Sequence, residues 1–259
     1  MKIAIIGAGN MGGATALGFA KFVPEAELVV TAAHATTLGK FAVRGIATTL
    51  DNVEAATDAD IIILGVKPWL VEEILTQLRP VLSGKILLSM AAGIPSAQIE
   101  EWLDGAGVLA AYTVIPNLAI EIGESMTFMT EILGDPAAEL QVLPLFNKVG
   151  KTLVVDERQL HAGMMVASCG TAFALRYARA AMEGGVQLGL YPRESLEAVL
   201  QTMKGAADLV TAHGTHPEQE IDRVTTPGGI TIRGLNAMEA AGFTASVVDG
   251  LLSDNDSLR

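Results

Sequence analysis

A doubly wound α/β sheet followed by an all-helical half is the fold class that this 259-residue sequence predicts. Three observations predict it. The chain opens on a strand-like run, Lys2 to Ile6, that passes directly into Gly7-x-Gly9-x-x-Gly12 and a helix-forming stretch. Up to residue 155, short β-type runs alternate with helical ones, the rhythm of a mostly parallel sheet covered on both faces. Beyond about Asp156 the β-type runs stop, and apolar residues recur at spacings of three and four.

The first domain, residues 1–156, reads as strands Lys2–Ile6, Glu27–Thr31, Ile61–Gly65, Ile86–Ser89 and Val108–Thr113. Each is a short, β-branched or apolar run, as expected of a strand buried on both sides. Helices Met11–Phe22, Thr37–Val43, Asn52–Ala56, Trp69–Leu78 and Ser96–Leu103 fall between them. Two further short strands, Ser125–Thr130 and Thr152–Val155, flank a helix from Pro136 to Lys148 and complete the domain. In the second domain, residues 157–259, Met164, Ala167, Thr171, Leu175, Ala178 and Met182 mark one long buried helix from Glu157 to Gly185. Gly163 and Gly170 would let another helix approach it closely. A helix from Arg193 to His213 follows, with Pro192 at its first position. Two shorter helices, near Gly229–Ala241 and Thr244–Ser253, come last.

Composition narrows the function. Half the residues are hydrophobic and the mean hydropathy is +0.42. No run approaches the roughly 18 apolar residues of a membrane span, so the surplus apolar surface predicts a subunit interface and a homo-oligomer, at least a dimer. A net charge of −12 argues against nucleic acid, whose phosphates it would repel. The single cysteine, Cys169, forms no internal disulfide and fits a reducing, cytoplasmic setting. It lies in an apolar helical stretch and reads as a core thiol. The opening segment is no signal peptide on this reading, because glycines at 7, 9, 12 and 13 interrupt its apolar run.

The glycine pattern carries specific chemistry. Gly7 permits the tight turn out of the strand, Gly9 removes the Cβ that would block a pyrophosphate, and Gly12 lets the helix pack on the strand. The helix start then offers free N–H groups and partial positive charge to an anion. This predicts a Rossmann-type dinucleotide site. Lys67, held in extended geometry by Pro68, would reach the crevice at the carboxyl ends of the strands; the same pattern also fits a solvated lysine at a helix start. Ser89 to Gly93 closes the next strand with small residues, which suits the approach of a flat nicotinamide ring and equally suits plain close packing. The end of the second strand, Val30 to Thr37, carries no acid to bind a ribose diol. His34, Thr31, Thr36 and Lys40 there suit a 2′-phosphate, so NADPH is favoured and NADH remains possible.

In the second half, Val224 to Thr231 places two hydroxyls, a proline and two glycines ahead of a helix, a backbone nest suited to a carboxylate. A turn with an N-cap threonine would have the same composition. His213-x-x-His216 has no third ligand at a metal-site spacing, and Pro217 signals that the helix has ended, so no metal is expected.

These residues together resemble the Δ1-pyrroline-5-carboxylate reductase family. The resemblance rests on GAGNMG at 7–12, VKP at 66–68, SMAAG at 89–93, PN at 116–117, GESMT at 123–127, EGGVQLGL at 183–190 and TTPGGIT at 225–231, followed by Arg233-Gly-Leu235. It spans essentially the whole chain. It implies that NAD(P)H reduces the C=N bond of a cyclic imino acid, the last step of proline biosynthesis, in an intertwined helical dimer. Gly7, Gly9, Asn10, Met11 and Gly12 would then hold the cofactor, bordered by Asn52, Val66, Lys67, Pro68, Ala91, Ala92 and Asn117. Thr226, Gly228, Gly229 and Thr231 would line the substrate site, with Thr231 as catalytic partner of the ring nitrogen.

The chain departs from the family pattern in three places. Thr226 and Ile230 replace a serine and a threonine of the family's Ser-Pro-Gly-Gly-Thr-Thr. Ala167-Ser-Cys-Gly-Thr171 stands for Ser-Gly-Ser-Gly-Pro, and Thr113-Val-Ile-Pro-Asn-Leu118 for Arg-x-Met-Pro-Asn-Thr. Ile230 removes a polar group near the substrate. Rival readings are a reductase of a related cyclic imine or a hydroxy acid, and a non-catalytic NADPH-sensing regulator. The absence of lysine from 157–185 counts against the hydroxy-acid enzymes, which place one on their long helix.

Overall fold

Alternate residues of a strand face opposite ways, and in the central strands of this chain both faces are apolar. Ile3, Ile5, Ile61 and Ile63 join one buried cluster while Ala4, Ile6, Ile62 and Leu64 join another. A sheet made of such strands must be covered on both sides. The computed structural model, which describes residues 1–254, shows that sandwich in the first of two compact units, Met1–Ser168.

Its strands are β1 (Lys2–Ile6), β2 (Glu27–Thr31), β3 (Ala47–Thr49), β4 (Ile61–Leu64), β5 (Ile86–Ser89), β6 (Ala110–Ile115), β7 (Ser125–Gly134) and β8 (Gly150–Val154). They form one sheet in the order β3-β2-β1-β4-β5-β6-β7-β8. All neighbours are parallel except β6 and β7. The helices of this unit are α1 (Asn10–Phe22), α2 (Ala35–Ala42), α3 (Asn52–Thr57), α4 (Val71–Leu78), α5 (Ser96–Leu103), α6 (Pro136–Lys148) and α7 (Glu157–Gly163). Phe19 of α1, Phe41 of α2 and Phe146 of α6 cover one face, with Phe19 and Phe146 edge to face at 5.5 Å. Ala56 of α3, Leu75 of α4 and Ile99 of α5 cover the other. The order reverses direction between β1 and β4. That reversal splays the following loops apart and opens a crevice at the carboxyl ends of the strands.

Three expectations need correction. The strand β3 was not anticipated, because Ala47-Thr-Thr49 is a three-residue edge strand, partly exposed, with no apolar alternation. The unbroken helix expected from Glu157 to Gly185 is interrupted by π-type turns over Met164–Cys169. There the Asn117 side-chain amide donates to the Ala167 carbonyl at 3.3 Å, and Ser168 Oγ donates to the Pro116 carbonyl at 2.9 Å. These tertiary partners stabilise the wider turn. Gly163, expected to admit a helix, admits a strand: a Cβ there would sit 2.4 Å from the Phe128 ring on β7.

One core group carries a cost. The Tyr112 ring is 1 % exposed, its hydroxyl has no hydrogen-bond partner, and burial followed by Glu131, Glu139 and Asp135 pushes its pKa up to about 12. Tyr112→Phe is therefore expected to stabilise the fold by about 1 kcal/mol in thermal unfolding, since it removes an unpaired buried hydroxyl. The pH sign follows from linkage. The folded pKa exceeds the free phenol's 10.0, so the ring's contribution is complete below that value and is lost as the pH climbs towards 12. The advantage of the phenylalanine variant should widen across that interval.

From Cys169 on, the chain is helical: α8 (Gly170–Gln187), α9 (Pro192–His213), α10 (Pro217–Val224), α11 (Ile230–Ala240) and α12 (Phe243–Leu252). α8 and α9 meet where both are small. A Cβ on Gly185 would lie 2.1 Å from Ser195 Oγ, which donates to the Met182 carbonyl at 2.8 Å. Tyr177 and Phe243 join α8 to α12 edge to face. The helix α10 was not anticipated, because Pro217 reads as a stop; it is instead the first residue of a new helix. Among the described residues of this unit only Ala178, Ser195 and Glu220 are buried, while Phe173, Leu175, Leu188 and Tyr191 are exposed. A helical half with so little interior does not bury its own apolar faces.

Candidate active site

The crevice is built on the turn after β1. Gly7 has φ +99°, left-handed, and a Cβ there would strike Val66 Cγ1 at 2.7 Å. A Cβ on Gly12 would meet the Gly7 carbonyl oxygen at 2.1 Å, and one on Gly65 would meet it at 2.8 Å. Three backbones converge here, and only glycine fits. Gly9 differs: a Cβ would find nothing within 4 Å. Packing within the chain does not account for this glycine; an approaching ligand would. Gly9 is the cap residue of α1, and no side chain caps that end. The first N–H groups of α1 are thus left to an anion.

The turn is tied to β2. The Gly7 N–H donates to Thr31 Oγ1 at 3.2 Å and the Ala8 N–H to the Thr31 carbonyl at 2.7 Å. Thr31 Oγ1 in turn donates to Asn52 Oδ1 at 2.7 Å, and Asn52 Nδ2 donates to Gln77 Oε1 at 2.9 Å.

A cavity of about 660 Å³ opens over the turn. Gly7, Gly9, Asn10, Met11, Val66, Lys67, Pro68, Ala91 and Ala92, all singled out in the sequence, line it together. Gly12 lies beneath them, in the turn. Ala32, Ala33, His34 and Thr37 come from the end of β2 and the start of α2, and Leu70 and Met90 complete the wall. Thr37 and Leu70 were missed, since nothing in their local pattern marks them; the carboxyl ends of β2 and β4 would have pointed to them. The lining contains no carboxylate, while Lys67 and His34 are present. In a chain of net charge −12 that local balance suits an anionic ligand. Lys40 Nζ lies 3.4 Å from where a Cβ on Gly13 would stand and 4.9 Å over the Phe41 ring, beside the first turns of α1.

Two expected cofactor residues sit elsewhere. Asn52 stands behind Thr31, holding the turn from outside the cavity lining. Asn117 is 8 % exposed; its Oδ1 accepts from the Ala119 N–H and its amide donates to the Ala167 carbonyl, within the π-type segment.

In the helical unit, Thr225 ends α10 and a tight turn follows, with the Gly229 N–H donating to the Thr226 carbonyl at 2.9 Å. Gly228 takes φ +70°. A Cβ on Gly229 would fall 2.5 Å from Thr226 Oγ1. Gly229 is the cap residue of α11, and again no side chain caps the helix. Thr231 is the second residue of α11, partly buried, and Ile230 beside it is 79 % exposed. His213 and His216 flank the Gly214 turn. His213 faces Glu220, and His216 Nδ1 accepts from the Glu218 N–H.

A glycine turn feeding an uncapped helix, at the switch point of a doubly wound sheet, defines a Rossmann-type nucleotide-binding unit followed by a helical unit. Comparison with known proteins agrees. Residues 2–93 match the family of coenzyme F420-dependent NADP oxidoreductases, and residues 157–255 match the pyrroline-5-carboxylate reductase dimerisation family. The chain is 35 % identical to pyrroline-5-carboxylate reductase of Arabidopsis thaliana over 97 % of its own length and 92 % of that protein. It is 32 % identical to pyrroline-5-carboxylate reductase 2 of Dictyostelium discoideum over 97 % and 90 %. It spans about half, 48 %, of pyrroline-5-carboxylate reductase 1 from the same organism. The structure of pyrroline carboxylate reductase from Plasmodium falciparum with NADP bound superposes with a TM-score of 0.88 at 26 % identity, covering 99 % of this chain and 97 % of that one. The chain belongs to the pyrroline-5-carboxylate reductase family.

Proposed function

We propose that this protein reduces the C=N bond of Δ1-pyrroline-5-carboxylate to L-proline at the expense of NADPH, with NADH as a possible substitute. The observation that carries the reading is the open space over Gly9 at the start of α1, within the acid-free cavity, together with a second glycine-headed helix start, Gly229 before α11. The reaction needs two anion sites, one for a pyrophosphate and one for a substrate carboxylate. The names of the relatives supply the substrate.

The dinucleotide supplies the hydride when bound. Gly7, Gly9, Asn10 and Met11 would hold its pyrophosphate, with Gly12 shaping the turn beneath them, and Val66, Lys67, Pro68, Ala91 and Ala92 would border it. The open space over Gly9 and the acid-free lining fit such a group. Asn52 supports the turn through Thr31, while Asn117 acts on the Met164–Cys169 segment through the Ala167 carbonyl. His34 and Lys40, with no carboxylate in the lining, favour a 2′-phosphate and hence NADPH. Thr226, Gly228 and Gly229 bind the substrate carboxylate at the start of α11. Thr231 Oγ1 hydrogen-bonds the ring nitrogen, holding a proton there while the imine carbon accepts the hydride. A protonated C=N bond needs no nucleophile, so rate comes from orientation.

Residues 157–259 act as the dimerisation and substrate-binding domain, and 1–156 as the cofactor domain. The scarcity of buried side chains in the helical unit supports at least a homodimer. No described helix is long and apolar enough to cross a membrane, and the lone Cys169 fits a cytoplasmic enzyme. The test is direct. Purified protein given pyrroline-5-carboxylate should consume NADPH and release an equal amount of proline. Tight NADPH binding with no turnover of any cyclic imine would make it a nucleotide sensor instead.

A further inference from the structure

Glu220 is the only buried carboxylate among the described residues, at 8 % exposure, and nothing in the reaction above uses it. It lies on α10, and its partners come from α9, from the connection between the helices and from α10 itself. Glu220 Oε1 accepts from Thr215 Oγ1 at 2.7 Å and lies 3.0 Å from His213 Nδ1, at the last residue of α9. Glu220 Oε2 accepts from Arg223 at 2.6 Å, and the same guanidinium nitrogen is 3.1 Å from His213 Nδ1. His213 donates to the carboxylate when Nδ1 carries the proton and accepts from Arg223 when it does not. Either tautomer closes the cluster.

The cluster connects rigidly to the loop before α11. Only Ile221 to Thr225 separate Glu220 from Thr226, with no glycine among them. The Thr225 N–H donates to the Ile221 carbonyl at 3.0 Å, and Thr225 Oγ1 donates to the Asp222 carbonyl at 3.1 Å. The loop has little packing of its own. Thr226, Pro227 and Gly228 are exposed, and a Cβ on Gly228 would meet nothing within 4 Å. Its course depends on the helix that delivers it.

We propose that Glu220 is a positioning residue for the substrate loop: by clamping the end of α9 to α10, it fixes where Thr226 to Thr231 leave the helix. A buried ion pair is a poor source of net stability, since similar apolar packing does as well or better. What the cluster supplies is one register between two short segments. The hydrogen bond from His213, then that from Thr215, holds the carboxyl below the usual carboxylate range, so it stays ionised and bonded at neutral pH.

The proposal rests on the imine-reductase reading, and its test separates the two. In the full-length protein, Glu220→Leu should raise KM for pyrroline-5-carboxylate about tenfold, the scale expected when a positioning contact is displaced. KM for NADPH should stay within about twofold, and amide exchange at 228–232 should accelerate. Glu220→Gln keeps an acceptor for Thr215 and should return KM to within about threefold of the parent. An unchanged substrate KM with unchanged loop exchange would overturn the proposal, as would an equal rise in both KM values. If the parent protein turns over no cyclic imine, the proposed function fails, yet the exchange rates still decide whether Glu220 holds the loop. Should Glu220→Leu not fold, Thr215→Val removes one bond alone. A faster-exchanging loop there supports the clamp, and an unaltered one refutes it.

Discussion

Gly9→Ala should weaken NADPH binding by about 10- to 100-fold while leaving the unliganded protein's melting temperature unchanged; that loss is the about 1–3 kcal/mol of inserting a methyl group into a close contact. Gly12→Ala should instead damage the fold. Both follow from what each new Cβ meets. At Gly9 it meets nothing within 4 Å, and φ −66° with ψ −163° is backbone that alanine accepts. The intruding methyl therefore has only the ligand to strike. At Gly12 it would stand 2.1 Å from the Gly7 carbonyl oxygen, a backbone atom fixed by the Ala8–Thr31 and Gly65–Ile6 hydrogen bonds on either side. That clash can be relieved only by moving α1 off β1. The cost is at least about 3 kcal/mol, against the roughly 5–15 kcal/mol that holds a typical domain folded. Denaturant unfolding of the two unliganded variants, with equilibrium titration of NADPH, separates the roles. If Gly9→Ala bound NADPH like the parent, no pyrophosphate would cross this turn.

How much of this was legible in the sequence depends on where each signal is stored. The strands β1, β2 and β5 were readable to the residue. β1 stops at Gly7, β2 opens on Glu27 and β5 follows Lys85, and β1 and β5 are apolar on both faces. β7 runs four residues beyond the expected Thr130, because Glu131 to Gly134 continue only by pairing with Ala110 to Tyr112. No local pattern of Glu131-Ile-Leu-Gly134 announces that. The π-type segment is similarly hidden: its cause is Pro116 and Asn117, some fifty residues away in the chain. α10 was hidden by a rule applied in the wrong direction, since Pro217 can open a helix as readily as it can follow one.

The site divides the same way. The glycine turn and the Val66-Lys-Pro68 corner were legible because backbone sterics leave few residues able to occupy them. Thr37 and Leu70 were not. Their place in the wall comes from how α2 and the short turn after Lys67 fold over the strand ends. Glu220 escaped for another reason. In sequence, Pro-Glu-Gln-Glu-Ile-Asp reads as a solvated acidic face, and only the return of His213 and Thr215 across the Gly214 turn buries one of its carboxylates.

Thr231→Ala should lower kcat/KM for pyrroline-5-carboxylate by about 100-fold, the low end of what one positioned proton-handling group contributes, and leave NADPH affinity nearly unchanged. Thr231 belongs to the helical unit, whereas every residue lining the crevice belongs to the sheet unit. Removing its hydroxyl therefore leaves each cofactor contact in place. Two groups in this first turn of α11 could govern the ring, and they make different demands. Ile230 offers only apolar surface and is 79 % exposed; Thr231 offers a hydroxyl and is partly sheltered. The imine gains its electrophilicity from a proton on nitrogen, so the hydroxyl matters when the hydride arrives as well as when the substrate binds. A loss confined to the hydrogen bond at binding would appear in KM alone. A loss shared by kcat would place Thr231 at the nitrogen. Thr231→Ser, which keeps the hydroxyl on a smaller side chain, should recover most of the rate. Steady-state kinetics with fluorescence titration of NADPH decides the matter. An alanine variant that lost the cofactor but kept its substrate KM would move the imine out of the Thr226–Thr231 loop altogether.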